Sequence, residues 1–154
     1  MMRLYFAYGS NMSAAVLARR LEREPASFRR RRGVLTDYKL AFNKVSSTNP
    51  IIGYANVVPA RGHRVEGILN ELDASALARL DAIELVPHHY TRSQVTVTDG
   101  NSGSEVPAEI YTAQPAWIRP ELIPLRSYLE TLLGGDDLLS VEYLAPLRVM
   151  QCSG

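Results

Sequence analysis

Cysteine is almost absent from this chain, which has 154 residues and one cysteine, Cys152. A single cysteine excludes an intramolecular disulfide and any metal site built from several thiolates. The chain also lacks an apolar run long enough to span a bilayer. Its N-terminus lacks the charged, apolar and small-residue pattern of a secretory signal peptide. We therefore expect a cytoplasmic protein with no membrane partner.

The net charge is also small, because 17 lysines and arginines nearly balance 16 aspartates and glutamates and leave a formal charge of +1. Such a chain has no overall field that would attract nucleic acid or an acidic partner. The four arginines at 29–32 stand alone, without interleaved aromatic residues. We interpret them as a solvated segment before a strand, so no nucleic-acid partner is expected.

The chain does have the composition of an ordinary globular protein, with 46% hydrophobic and 21% charged residues. Its length predicts one domain over residues 1–154. Regular β-α-β alternation is missing, so the pattern favours an α+β domain with a curled, mostly antiparallel or mixed sheet. Hydrophobic periodicity and turn residues predict strands at 3–8, 33–42, 53–58, 64–69, 90–98 and 106–112, a turn at 59–62, and helices at 13–21, 74–84, 120–133 and 140–147.

An aromatic strand at the N-terminus breaks abruptly at Tyr8-Gly9-Ser10-Asn11, just before a helix that Ser13 can cap. Glycine permits a tight turn and the close approach of a ligand. The backbone N–H groups of such a turn can stabilise the charge on a carbonyl oxygen. They can also hold a substrate carboxylate, especially when a helix begins directly afterwards. The sequence predicts one of these two uses without deciding between them.

A glutamate ends the apolar face of the helix predicted after Asp73. At about 100° per residue, Leu77, Leu80 and Glu84 share one face. Partial burial and the helix C-terminus would both raise the pKa of Glu84, which suits a general base near neutral pH. If the helix stops at Ala82, however, Glu84 faces solvent. We interpret the nearby Asp81 as a structural hydrogen-bond acceptor.

The sequence disfavours two other chemistries, a serine nucleophile and a histidine metal site. Ser10 lacks the G-x-S-x-G context of a nucleophile, and the three histidines fit no triad pattern, so a hydrogen-bonding role is preferred for this serine. The pair His88-His89 has the spacing of no common metal site. We therefore predict no metal, and no cofactor is needed for the chemistry discussed next.

Several segments, in this order, resemble the γ-glutamyl cyclotransferase-like family: LYFAYGSNM, DYKLAF, GYAN, VEG, and LDAIE followed by Tyr90. The resemblance runs from about residue 3 to about residue 147. It implies a small mixed β-barrel flanked by helices. It also implies a small γ-glutamyl substrate whose α-amine attacks its own γ-amide, releasing 5-oxoproline and an amine or amino acid.

The resemblance also implies roles for particular residues. Glu84 matches the catalytic acid/base. The spacing before Tyr128 differs from that of the family, and Leu85 replaces the glycine that usually follows the glutamate. Because leucine resists the backbone angles open to glycine, we expect the turn after Glu84 to differ. The implied substrate-binding residues are Tyr5, Phe6, Ala7, Tyr8, Gly9, Ser10, Asn11, Tyr90, Tyr111 and Tyr128.

Three functions remain open from the sequence. The favoured one is the cyclising enzyme with Glu84 as acid/base. A non-catalytic module of the same fold that binds a small carboxylate is the second, and Leu85 favours it. A serine amidohydrolase using Ser10 is the third. The sequence does not decide the amine half of the substrate, or between a monomer and a homodimer.

Overall fold

Five strands close into a barrel in the computed structural model, which describes all 154 residues. Around the barrel they follow the order β1-β3-β2-β4-β5. The β1–β5 pair is parallel and the other neighbours are antiparallel, so the predicted α+β class with a small mixed barrel is confirmed. The strands are β1 (Met2–Ala7), β2 (Arg30–Val45), β3 (Gly53–Asp73), β4 (Tyr90–Asp99) and β5 (Glu105–Ala113).

Four short helices flank this barrel, and none of them is long and apolar enough to cross a membrane. The predicted caps form: Ser13 Oγ accepts from the Val16 N–H at 3.3 Å, and Asp73 Oδ1 accepts from the Ala76 N–H at 2.9 Å. Such caps satisfy amide donors that have no partner inside the helix. The helices are α1 (Ala14–Leu21), α2 (Ala74–Ile83), α3 (Arg126–Leu132) and α4 (Val141–Arg148).

The predicted turn at 59–62 is wrong, because β3 runs unbroken through it. The antiparallel register with β2 changes between the pairs Thr36–Arg64 and Tyr38–Pro59, so the extra residues of β3 form a bulge. The Gly62 N–H donates to Asp37 Oδ1 at 2.9 Å inside this bulge. Turn-forming residues therefore serve here to bend one long strand.

The predicted helix at 120–133 is wrong in its first half, since α3 begins only at Arg126. Pro120 and Pro124 disfavour helical angles in the residues before them. The segment is instead extended, and Ile123 exchanges backbone hydrogen bonds with Ile51 and Gly53 at 3.1 and 2.9 Å.

The arginine run is not a solvated segment before a strand, as predicted, because three of its members lie within β2. Arg30 Nη1 is 2.8 Å from Asp137 Oδ2, Arg31 pairs with Asp99, and Arg32 lies 3.9 Å from Glu66. Acidic side chains distant in sequence thus face these guanidinium groups.

The hydrophobic core has two parts on the two faces of the sheet. Strand residues such as Phe6, Leu69 and Ile110 pack together inside the barrel. Alternate residues such as Leu72 pack outward against helix residues such as Leu80. This alternation follows from the period of two along a strand, and it fixes α2 against the barrel.

Candidate active site

The turn after β1 places the Gly9 backbone against an aromatic side chain. A Cβ at Gly9 would lie 3.0 Å from the Tyr128 hydroxyl and 3.4 Å from Ala55 Cβ. A larger residue would therefore crowd the turn. The Gly9 N–H donates to no other group of the protein. The turn thus presents a free backbone donor.

Ser10 and Asn11 begin a 3₁₀ turn that Arg20 of α1 holds in place. Arg20 Nη1 donates to Ser10 Oγ at 2.9 Å and to Asn11 Oδ1 at 2.6 Å. The Asn11 Nδ2 in turn donates to the Tyr5 hydroxyl at 3.0 Å. Arg20 has no carboxylate within ion-pair distance, so its positive charge stays available in this turn.

Glu84 is the C-cap of α2, one residue beyond the last helical residue, Ile83. The following N–H groups of Leu85 and Val86 donate to the carbonyls of Ala82 and Asp81 at 3.2 and 2.9 Å. This is the hydrogen-bond pattern of a Schellman helix end. It requires a left-handed residue after the helix, and Leu85 supplies it with a φ of 53°.

The expectation that leucine would avoid glycine-like angles here is therefore wrong. Leu85 takes the left-handed conformation, which costs a non-glycine residue about 1–2 kcal/mol. Its side chain is 51% exposed, so there is room for it. This helix end therefore sets the path of the chain after Glu84.

A cavity of about 300 Å³ brings the helix end and the N-terminal turn together. Glu84 is half-buried in its wall. Burial raises the pKa of the Glu84 carboxyl above its ordinary value of 4.5, although Arg20 and Lys44 both act to lower it. Desolvation of a carboxylate disfavours its charged form, and nearby cations oppose that effect.

Tyrosines make up much of the cavity wall, and hydrogen bonds fix their hydroxyls. The Tyr90 hydroxyl donates to the Ala55 carbonyl at 3.1 Å, and the Tyr128 hydroxyl accepts from the Ala55 N–H at 3.1 Å. The Tyr111 hydroxyl donates to Asp81 Oδ1 at 2.7 Å. Burial is the main reason that the pKa values of all three phenols are raised, so they remain protonated.

The surroundings of Asp81 agree with its interpretation as a structural hydrogen-bond acceptor. Its carboxylate is bound by both Arg92 Nε and Nη2, at 2.8 and 3.1 Å, as well as by the Tyr111 hydroxyl. Two-pronged binding of this kind fixes a carboxylate firmly. Asp81 does not line the cavity.

Of the residues implied by the resemblance, one lies outside the cavity. Ala7 packs in the hydrophobic core, although Tyr5 on the same face of β1 and Phe6 on the other face both reach the wall. The wall contains the other ten: Tyr5, Phe6, Tyr8, Gly9, Ser10, Asn11, Glu84, Tyr90, Tyr111 and Tyr128.

Two cations in the wall, Arg20 and Lys44, were not predicted from the sequence. His89, for which no metal role was predicted, also lines the wall. Arg20 had a signal, since it shares the α1 face of buried Val16 and Leu17, where a charged residue is out of place. For Lys44 the only indication of a site role was its position at the end of a long strand. No group of three or more His, Cys, Asp or Glu side chains lies together in a way that could hold a metal ion.

Comparisons with known proteins identify the family and the fold. The family model described as gamma-glutamyl cyclotransferase, AIG2-like, matches residues 5–130. A solved γ-glutamyl cyclotransferase is 25% identical, with a TM-score of 0.84 over 99% of this chain and 90% of that one. A human structure titled uncharacterized protein loc79017 is 26% identical, with a TM-score of 0.84 over 99% and 89% of the two chains.

A yeast cyclotransferase described as specific to glutathione shares the fold alone. It is 14% identical, with a TM-score of 0.67 over 95% of this chain and 93% of that one. Among curated proteins, no significant match is found.

Proposed function

Because the chain belongs to the gamma-glutamyl cyclotransferase, AIG2-like family, we propose that it cyclises a small γ-glutamyl substrate with Glu84 as acid/base. Family and fold together indicate γ-glutamyl cyclotransferase-like activity. The observation that carries the assignment of Glu84 is its half-buried place in the same cavity as the Gly9–Asn11 turn.

Glu84 starts the reaction by taking a proton from the α-ammonium of the substrate. The freed nitrogen attacks the γ-carbonyl carbon, and a C–N bond forms that closes the five-membered ring. The bond from that carbon to the leaving nitrogen then breaks as Glu84 returns the proton to it. A second ammonium proton follows the same route, so 5-oxoproline and a protonated amine leave. A base with a raised pKa suits both proton transfers near neutral pH.

The N-terminal turn and Arg20 hold the other polar groups of the substrate. The free Gly9 N–H donates to a substrate oxygen, and the Arg20 guanidinium binds the α-carboxylate. The tyrosine wall folds the substrate so that its amine meets its own carbonyl. Such positioning supplies a large part of the rate of an intramolecular reaction.

The serine amidohydrolase is not supported by the geometry. Ser10 Oγ accepts a hydrogen bond from Arg20, whose guanidinium group has only donors and so cannot take a proton from the serine. None of the three histidines is hydrogen-bonded to this hydroxyl. Leu85, in turn, no longer favours a non-catalytic module, because it adopts the backbone conformation that a glycine would.

The test is 5-oxoproline release, measured by mass detection over a panel of γ-glutamyl amino acids and amines. Glu84→Gln should lower the rate by about 10²- to 10⁴-fold, the usual contribution of general acid–base catalysis, while substrate binding survives. The matched control is Glu130→Gln, which changes an exposed glutamate of α3. Full activity of Glu84→Gln would refute its role as acid/base, and no 5-oxoproline from wild type would refute the enzyme.

A further inference from the structure

Lys44 is a buried cation in the cavity wall. It lies at the end of β2 and is 5% exposed. Burying an ammonium group is costly unless another charge or dipole compensates for it. Burial lowers the pKa of Lys44, and the charge of Glu84 acts to raise it again.

No carboxylate lies within ion-pair distance of Lys44. Its Nζ lies 4.8 Å from the ring centre of Trp117, and 5.7 Å from those of Tyr54 and Tyr90. Aromatic faces attract such a cation without consuming its hydrogen-bond donors.

One protein acceptor is hydrogen-bonded to this ammonium. Lys44 Nζ is 2.8 Å from His89 Nδ1, and His89 stacks on Trp117 with ring centres 3.8 Å apart. An ammonium only donates, so Nδ1 is the acceptor and the proton of the neutral imidazole is on Nε2. Two of the three ammonium N–H donors therefore have no protein acceptor.

The charges of the cavity wall complement those of one class of γ-glutamyl compound. The wall carries two cations without carboxylate partners, Arg20 and Lys44, and one carboxylate, Glu84. A γ-glutamyl-α-amino acid carries two carboxylates and one ammonium, the complementary set. A γ-glutamyl amine without a second carboxylate leaves one buried cation unpaired, which costs binding free energy.

The two cations also belong to different parts of the wall. Arg20 is hydrogen-bonded to the N-terminal turn through Ser10 and Asn11. Lys44 belongs to the ends of β2 and β3, beside Tyr54, His89 and Trp117. Each can therefore serve a different carboxylate of one substrate.

We propose that Lys44 binds a carboxylate on the leaving half of the substrate, and that the enzyme prefers γ-glutamyl-α-amino acids to neutral γ-glutamyl amines. This inference rests on the proposed function, because it assumes that a γ-glutamyl compound occupies the cavity. Lys44 is then a specificity-determining residue, and His89 and Trp117 hold its ammonium in place.

The test compares three substrates that differ at one group. γ-Glutamylalanine and γ-glutamylethylamide differ only by the carboxylate of the leaving half, and γ-glutamylalaninamide replaces that carboxylate by a neutral amide. For wild type, kcat/KM for γ-glutamylalanine should exceed that for each neutral compound by about 10- to 100-fold, the range expected for a charge-assisted hydrogen bond.

Lys44→Met should remove this preference by lowering kcat/KM for γ-glutamylalanine about 10- to 100-fold. At a pH well above the acid limb of kcat/KM, where Glu84 is ionised with or without the charge of Lys44, the values for the two neutral compounds should change by less than about threefold. Lys44→Arg retains the charge and should retain most of the preference, which also guards against misfolding of the methionine variant. The matched control is Lys39→Met, because Lys39 is the only other lysine of the chain and is exposed.

Binding to the Glu84→Gln variant separates this inference from the proposed function. Calorimetry on that variant, with and without Lys44→Met, measures the same preference without turnover. A preference that Lys44→Met abolishes supports the role of Lys44 even if no 5-oxoproline is ever released. Equal losses for all three compounds would show that Lys44 binds the γ-glutamyl half instead. An unchanged preference, or none in wild type, would also overturn the inference.

Discussion

Arg20 of α1 is bound to Asn11 of the N-terminal turn, with 2.6 Å between its Nη1 and the Asn11 Oδ1. The same nitrogen also donates to Ser10 Oγ. A helix on the outside of the barrel thereby fixes the turn that lines the cavity. Arg20 keeps a charge without a carboxylate partner at that point, so the same residue that positions the turn also suits the proposed binding of the substrate α-carboxylate.

We expect Arg20→Met to raise KM for γ-glutamyl substrates by about 10- to 100-fold, because it removes the cation proposed to bind the α-carboxylate. The KM of Arg20→Lys should lie between those of wild type and Arg20→Met, since lysine keeps the charge but lacks the planar fork of arginine. Steady-state kinetics measure the effect. Arg19→Met is the control, because Arg19 is the exposed neighbour on the same helix. Equal effects of Arg19→Met and Arg20→Met would contradict the assignment.

The pH dependence of kcat/KM should show an acid limb with a midpoint above 4.5, the ordinary pKa of a glutamate. The raised pKa of Glu84 sets its direction: the carboxylate must be ionised to accept a proton, so activity falls as the pH drops through that pKa. Arg20 lowers the pKa of Glu84, so Arg20→Met should move the midpoint to higher pH. A midpoint that stays fixed in this variant would show that another group controls the limb.

Ser10→Ala should keep activity within about tenfold of wild type, because Arg20 still donates a hydrogen bond to Asn11 when its bond to Ser10 is lost. The product should remain 5-oxoproline. In ¹⁸O-labelled water, a hydrolase would release labelled glutamate, whereas ring closure incorporates no label. A loss as deep as that of Glu84→Gln, with labelled glutamate in wild type, would restore the amidohydrolase.

Leu85→Gly should change the free energy of unfolding by less than about 1 kcal/mol. Glycine relieves about 1–2 kcal/mol of left-handed strain but adds flexibility to the unfolded chain at a similar cost. Urea unfolding measures the change. The control Ile83→Gly, in the last helical residue of α2, should destabilise by about 1 kcal/mol because no such strain is relieved. Equal losses in the two variants would argue against strain at Leu85.

Much of the fold could be predicted from local patterns. The strands β4 and β5, the Asp73 cap and the apolar stripe of α2 each depend on residues close together in sequence, and the structure contains all of them. Predictions failed where distant partners decide the outcome. The extended segment before α3 pairs with Ile51, and the bulge in β3 is defined by its register against β2.

The sequence by itself determined that a glutamate ends the apolar face of α2 and that a small-residue turn follows an aromatic strand. It also determined the family, through the order of its motifs. These are features of nearest neighbours along the chain, which a pattern records directly.

Only the tertiary structure decided that Glu84, Arg20 and Lys44 share one cavity. Their elements are far apart in sequence and meet because the barrel closes and buries its helices against one face. Ala7 lies in the core, whereas Tyr5 on the same face of β1 and Phe6 and Tyr8 on the other face all reach the cavity wall. Which residues of a strand reach a cavity depends on the packing of the whole barrel, and no local pattern specifies it.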